Sequence, residues 1–327
     1  MGNRNREKLL ALFSKKQGEF LSGQQIADLL GLSRTAVWKH MENLRQEGFE
    51  IEAVRNKGYR LIKNSETFSK DSILIDLHTK FIGQKLYFYD EVDSTQFVAH
   101  QKISEGAKSG TVIVSELQTG GKGRLARVWD SQSGKGIWMS LILKPQIEIA
   151  KVPQFTFIAS LAVVSAIEEV THLEPQIKWP NDIYIGKQKV CGVLTEMRSE
   201  AGLVEAIIIG IGINVNQTEF PEEIKEKATS LAILAGHSFP RAKLLQEILR
   251  QLEKYYQVFM DDGFSPIKLL WEAKAIPFRE KIIVSTMQGS IEGTAEGISD
   301  EGVLLVRDDS GVRHQIYSAD IDFFSEN

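Results

Sequence analysis

Residues Glu116 to Gly136, ELQTGGKGRLARVWDSQSGKG, set Lys122, Arg124, Arg127 and Lys135 among glycines. Glycine lets a backbone approach a ligand closely and fixed positive charge suits an anion, so a phosphate is the natural partner. Gly121 to Ala126 even spells G-x-G-x-x-A. That fingerprint needs a helix to begin within the glycines, so that its amides face a pyrophosphate. Here a loop-like RVWDSQSGKG follows and runs into the strand-like IWMSLIL, and the dinucleotide reading fails on context. A Walker A loop fails as well, because no G-x-x-x-x-G-K-[ST] string occurs. What remains is a long, flexible cationic loop with Gln118 at its entrance and Trp129 at its exit. It either folds over a phosphate, with Trp129 against a base, or stays a solvated surface loop.

Two further stretches carry candidate chemistry. In QIKWPNDIYIGKQKVCGVLTE, Gln176 to Glu196, Lys178 stands in an apolar strand-like context before Trp179 and Pro180. Pro180 pushes its neighbours extended. A core-facing lysine would need an anionic partner, whereas the alternative is a surface lysine beside a turn. In YDEVDSTQ, Tyr89 to Gln96, Ser94 and Thr95 either cap the following helix or turn their hydroxyls to a ligand. The apolar run IIIGIGINVNQ, Ile207 to Gln217, has glycines that permit close backbone approach, and Asn214 emerges where an amide could read a base edge. Cys191 reads as a small buried residue, not a nucleophile.

These groups must be positioned by the elements around them. Strand patterns cover Lys85 to Tyr89, Thr111 to Glu116, Gly136 to Leu143 and Leu203 to Asn214; helical patterns cover Thr95 to Glu105, Pro153 to His172 and Arg241 to Met260. Strands come in adjacent runs, so α+β is expected over a doubly wound sheet. From Lys281 on, short β runs broken by MQGS, SDEG and DDSG mark a small all-β C-terminal domain.

Ahead of this body, Arg4 to Lys16 shows helical spacing, and two short amphipathic helices meet at Gly31 and Ser33, a stop and an N-cap. Ile26, Ala27, Leu30, Leu32, Val37, Met41 and Leu44 would face inward. FEIEAVRNKGYRL then reads as a basic wing around Asn56-Lys57-Gly58, with Arg55, Lys57 and Arg60 near its tip. This is a winged helix-turn-helix. Its second helix would present Ser33, Arg34, Thr35, Trp38 and Lys39 to a major groove, with Gln24, Arg55 and Lys57 as further DNA contacts. The alternative is the same fold used for dimerisation or packing. The polar stretch Lys63 to Ser72 has the composition of a linker.

Charge agrees with this division. The 327 residues carry a net −4, yet residues 1–65 hold 12 Lys/Arg against 7 Asp/Glu, which leaves −9 for the rest. A basic front suits a polyanion. With 43% apolar residues the chain is long enough for two or three cores. One cysteine precludes an internal disulfide, and six scattered histidines show no metal-ligand spacing. With neither a signal core nor a bilayer-length apolar run read from the sequence, a soluble, cytoplasmic protein without a membrane partner is expected.

Taken in order, the winged helix, D-S-T, Q-x-x-G-x-G-R with R-x-W, K-W-P-N-D, G-x-L-x-E from Gly192, G-I-G-I-N and the small β domain resemble the bacterial bifunctional biotin-protein ligase and biotin-operon repressor. The resemblance implies modules at 1–65, 66–274 and 275–327: a winged helix-turn-helix, an α+β ligase domain with a mixed sheet, and an SH3-like β-barrel. It implies that biotin and ATP give biotinyl-5′-AMP and pyrophosphate, with Mg²⁺ assisting, and that biotin then passes to a lysine of a carboxyl-carrier protein. Lys178 and Arg124 would be catalytic. Ser94, Thr95, Gln96, Gln118, Lys122, Gly123, Arg127, Trp129, Gly192 and Asn214 would join them in holding biotin and adenylate. No protein ligand for a resident metal is implied. The adenylate would act as corepressor by favouring a homodimer on operator DNA. Two departures stand out: Ser94-Thr95-Gln96 replaces the usual S-T-N, and Gly121-Lys122-Gly123-Arg124 replaces G-R-G-R. The rival readings are a non-catalytic biotin sensor and a lipoate-type ligase.

Overall fold

In a computed structural model, residues 2–16, 19–46, 48–63, 68–276, 281–286, 289–317 and 319–323 are described. Contacts divide the chain into two units, residues 1–78 with 240–246, and residues 79–239 with 247–327. The expected boundary at 65/66 and linker residues 64–67 lie outside the described residues, whereas the expected boundary at 274/275 falls within the second unit.

The first unit holds α1 (Gly2–Lys15), α2 (Gly23–Leu30), α3 (Arg34–Gln46), the hairpin β1 (Glu50–Val54) and β2 (Gly58–Lys63), and α4 (Lys70–Leu74). Ser22 starts α2 through a capping box with Gln25, and Gly31 ends it at φ 65°. Ser33 Oγ then accepts the Ala36 amide at 3.1 Å, so one turn of sequence stops one helix and starts the next. Val37, Met41 and Leu44 fall on one face of α3 at helical spacing and close a core with Leu9, Phe13, Ile26, Ala27 and Ile51. The wing is tied to this core by backbone hydrogen bonds between Leu21 and Tyr59, each 2.8 Å.

In the second unit, a seven-stranded mixed sheet is built from β3 (Leu86–Val92), β4 (Thr111–Gln118), β5 (Gly136–Leu143), β6 (Gln176–Lys178), β7 (Asp182–Ile185), β8 (Gln188–Glu200) and β9 (Leu203–Asn214). Their order is β3-β4-β5-β9-β8-β7-β6, with β3 and β4 parallel and the other pairs antiparallel. Period-two alternation divides β9 cleanly. Ile208, Gly210, Gly212 and Asn214 share the face that carries α5 (Thr95–Ser104), where Val98, Ala99 and Ile103 pack on Ile208. On the other face lies α6 (Gln154–Thr171), whose Thr156 hydroxyl reaches Thr195 of β8 at 2.8 Å.

The unit continues with α7 (Leu231–Ala235), the part of α8 (Arg241–Asp262) from Glu247 on, and α9 (Phe264–Glu272). Its last five strands are β10 (Lys281–Thr286), β11 (Gly289–Ile298), β12 (Leu304–Asp308), β13 (Arg313–Ile316) and β14 (Asp320–Phe323), ordered β13-β12-β11-β10-β14 and wholly antiparallel. This SH3-like module docks on the α6 side of the unit. Trp179 Nε1 donates to the Gly302 carbonyl at 3.2 Å, and Lys268 pairs with Asp300 at 2.8 Å.

The expected plan is therefore present, with one correction. The stretch Ile149–Thr171 is long and apolar enough to cross a membrane by length and composition. It is apolar because α6 is packed against the sheet on one side and α9 on the other, and most of it is buried.

Candidate functional site

Above Gly210 and Gly212, on the α5 face of the sheet, lies a cavity of about 350 Å³, within the usual range for a small-molecule cleft. Ser94, Thr95, Gln96 and Gln118 form one end; Lys122, Gly123, Arg124, Arg127 and Trp129 come from the cationic loop, and Gly192 and Asn214 from the sheet. Eleven of the twelve expected ligand residues thus meet in one place, although they span some 120 positions of sequence.

Lys178 is the exception. It does not line this cavity, and its ammonium lies 5.2 Å from the Tyr184 ring centroid. The reason is topological: β6 is the edge strand, with β7 between it and β8. The lysine of the Gln176 to Glu196 stretch that lines the cavity is Lys189. Its ammonium pairs with Asp182 at 2.6 Å and lies 5.3 Å from the Trp129 ring centroid. Simple alternation would not have placed it there. Asp182 pairs with Gly192 and Ile183 with Cys191, but Tyr184 pairs with Lys189, so Val190 is an extra residue in β8. This bulge turns Lys189 to the same face as Gly192. Other lining residues that sequence reasoning passed over are Asn181, Asp182 and the segment containing Phe220, Ile224 and Lys227. Asn181 and Asp182 belong to the K-W-P-N-D string.

The loop is more ordered than expected from its glycines. Gly123 N–H donates to the Arg127 carbonyl at 2.8 Å and Trp129 N–H to that of Gly121 at 2.9 Å, giving a small hairpin with Arg124–Ala126 at its tip. Arg124 Nη1 donates to Asn181 Oδ1 at 3.2 Å, which ties the tip across the cavity. The Trp129 ring rests on the glycine pair of the sheet: a Cβ at Gly212 would come within 2.5 Å of Trp129 Nε1, and one at Gly192 within 3.0 Å of the ring. Its Nε1 is buried without an acceptor, so packing holds the indole.

At the polar end, Thr95 N–H donates to Gln118 Oε1 at 2.8 Å and Gln118 Nε2 to Ser131 Oγ at 2.9 Å. Ser94 caps α5 through the Gln96 amide at 3.2 Å. At the far end Asn214 is braced, donating to the Thr229 carbonyl at 3.2 Å and accepting from Gln217 at 3.0 Å. Cys191 is fully buried and burial pushes its thiol far up, so it is not a nucleophile at neutral pH. Among the described residues no group of three His, Cys, Asp or Glu is placed to hold a metal ion.

The second candidate surface is the helix-turn-helix. Ser33 just ahead of α3 and Arg34, Thr35, Trp38 and Lys39 on it are exposed, Trp38 to 55%, and Gln24, Arg55 and Lys57 are exposed as well. Gln24 is engaged with Asp28 at 2.8 Å. Arg60 pairs with Glu52 at 2.9 Å and stacks on Phe20, and Lys57 lies over the same ring at 5.8 Å, with Arg55 exposed beside it at the wing tip.

A cationic small-molecule cleft on a mixed sheet, with a helix-turn-helix before it and a small β module after it, defines a class. Family models match in the same order: an HTH domain over residues 5–60, the biotin/lipoate A/B protein ligase family over 88–214, and the biotin protein ligase C-terminal domain over 280–323. The chain is 50% identical to the bifunctional ligase/repressor BirA of Bacillus subtilis, over 97% of this chain and 98% of that one. Its identity to the protein of the same name from Escherichia coli is 29%, over 94% and 93%. Among solved structures, the biotin protein ligase from Aquifex aeolicus in complex with biotin and ATP matches at 35% identity and a TM-score of 0.65, covering 74% of this chain and 99% of that one. The chain belongs to the bifunctional ligase/repressor family.

Proposed function

We propose that the protein activates biotin with ATP as biotinyl-5′-AMP, passes biotin to a lysine of a carboxyl-carrier protein, and represses transcription by binding operator DNA. The observation that carries this reading is the convergence of Lys122, Arg124, Arg127 and Lys189 on a cavity whose other end is lined by hydroxyl and amide groups. A carboxylate oxygen must attack the α-phosphorus while pyrophosphate leaves, and two anions approach only where fixed cations neutralise both. Lys189, held between Asp182 and the Trp129 ring, is the cation we place at that junction. Arg124, Lys122 and Arg127 then close over the phosphates, and Trp129 and Asn214 border the adenine. Mg²⁺ would arrive on the triphosphate. Asp130 and Asp182, the carboxylates lining the cavity, fit the one or two protein contacts such an ion usually takes.

In the second step the carrier's lysine amine attacks the acyl carbon and AMP leaves. The anhydride is destroyed by water, so a loop tied across the cavity through Arg124 protects it. As functional modules we propose 1–65, 66–274 and 275–327, in a cytoplasmic protein whose adenylate-bound form is a homodimer on DNA. An adenylate that orders the loops would remove an entropic cost from any interface they border. Incubation with biotin, ATP, Mg²⁺ and a carrier domain, read by streptavidin, tests the ligase. Label transfer is expected; none, with biotin still bound, would leave a biotin sensor.

The Gly192–Gly212 floor supplies a further expectation. Gly212→Ala drives a methyl into the Trp129 ring, an overpacking worth about 1–3 kcal/mol. KM for ATP should rise about tenfold or more, and the apparent melting temperature should fall by a few degrees. Steady-state kinetics with ATP varied will show it, and an unaltered KM would remove Trp129 from the adenine site.

A further inference from the structure

Glu196 lies outside the cavity but touches a residue that lines it. Gln96 Nε2 donates to Glu196 Oε2 at 3.2 Å and to the Leu194 carbonyl at 3.4 Å, and His100 Nε2 meets the same carboxylate oxygen at 3.1 Å. Gln96 Oε1 faces the Ser140 hydroxyl at 2.8 Å, and Ser140 Oγ is also 2.8 Å from Thr95 Oγ1. These contacts have a direction that proton counting decides. A carboxylate and a carbonyl only accept, so the Gln96 NH₂ must face Glu196. Its oxygen must then face Ser140, and that contact requires the single Ser140 proton. The equally short contact between Ser140 and Thr95 can be filled only by the Thr95 proton. Gln118 Oε1, 3.1 Å from Thr95 Oγ1, is served instead by the Thr95 backbone N–H. Thr95 Oγ1 is left to meet the cavity with lone pairs.

We propose that Glu196 is a positioning residue that sets the hydrogen-bond polarity of the biotin subsite: through Gln96 and Ser140 it makes Thr95 an acceptor, which selects a ligand ring bearing an N–H donor. The inference rests on the biotin reading, since a ureido ring carries two N–H groups, whereas a dithiolane ring carries none. It also gives Gln96 a role that rests on its reach, because the amide must span from Ser140 to Glu196.

Glu196→Gln tests it. An amide at 196 can donate as well as accept, so only the longer 3.4 Å contact with the Leu194 carbonyl still orients Gln96. With its main restraint gone Gln96 can turn over, Ser140 can point at Thr95, and Thr95 can become a donor. Biotin affinity, measured by calorimetry with biotin alone, should fall roughly tenfold, the scale of a buried polar group left unmatched. KM for biotin should rise with it, while KM for ATP, kcat and the melting temperature hold. In a Gln96→Met background no amide remains to be oriented, and adding Glu196→Gln should then change nothing. Unchanged biotin affinity in Glu196→Gln, equal rises in both KM values, or additive effects in the double variant would each overturn the proposal. A wild-type chain that fails to bind biotin would instead overturn the ligase reading, before any variant is compared.

Discussion

Lys189→Ala should lower the rate of biotinyl-adenylate formation by about 10²–10³, the usual scale for removing one preorganised group from a developing charge. Lys189 is the lysine whose ammonium stands inside the cavity between a carboxylate and an aromatic face. Removing it leaves Asp182, an anion, beside the place where two further anions must meet. The rate should therefore suffer more than biotin binding, which the polar end of the cavity supports separately. Lys189→Met, which keeps the apolar stem, should be nearly as slow, because the charge is the point. Lys178→Ala provides the contrast. From the edge strand its ammonium lies over the Tyr184 ring and does not line the cavity, so the rate should fall far less than in Lys189→Ala. Biotin-dependent exchange between ATP and pyrophosphate measures both. Equal losses in the two variants, or a larger loss at Lys178, would return the central role to the K-W-P-N-D lysine.

The double reversal Arg34→Glu, Lys39→Glu should weaken operator binding by about 10²–10³ and lower the salt slope by about two, at roughly 1–3 kcal/mol for each lost contact. Both side chains are exposed on α3, whose stability comes from the opposite face through Val37, Met41 and Leu44. Folding should accordingly be spared, and biotin transfer should continue at its normal rate. Fluorescence anisotropy on operator DNA at several salt concentrations, beside a streptavidin assay on the same preparation, separates the two activities. Retained DNA affinity would assign this face to packing or dimerisation instead.

Much of the architecture was legible because it is written in local periodicity. The spacing of Val37, Met41 and Leu44 marks a helix, Gly31 and Ser33 mark a turn, and the apolar run Ile207 to Asn214, with glycines alternating from Ile209 on, marks a strand; in each case the physical cause acts within a few residues. The basic front module was legible for a similar reason, since charge needs no partner to be counted. Residues brought to the cavity by ordered motifs, such as Thr95, Gln118 and Trp129, were found because the motif order is specific. The hairpin order of the 121–129 loop was not, since its paired carbonyls and amides carry no side-chain signal.

By itself, then, the sequence determined the module order, the faces of α3 and β9, and the chemical kinds of group the site contains. Tertiary structure alone decided which lysine is central. Lys178 and Lys189 stand in equally apolar strands, and nothing local tells them apart. Strand order puts Lys178 at the sheet edge, and the extra residue at Val190 turns Lys189 to the cavity face. A bulge is a property of two strands in register, and one strand read alone cannot contain it. The same holds for Glu196, whose hold on Gln96 joins two residues a hundred positions apart.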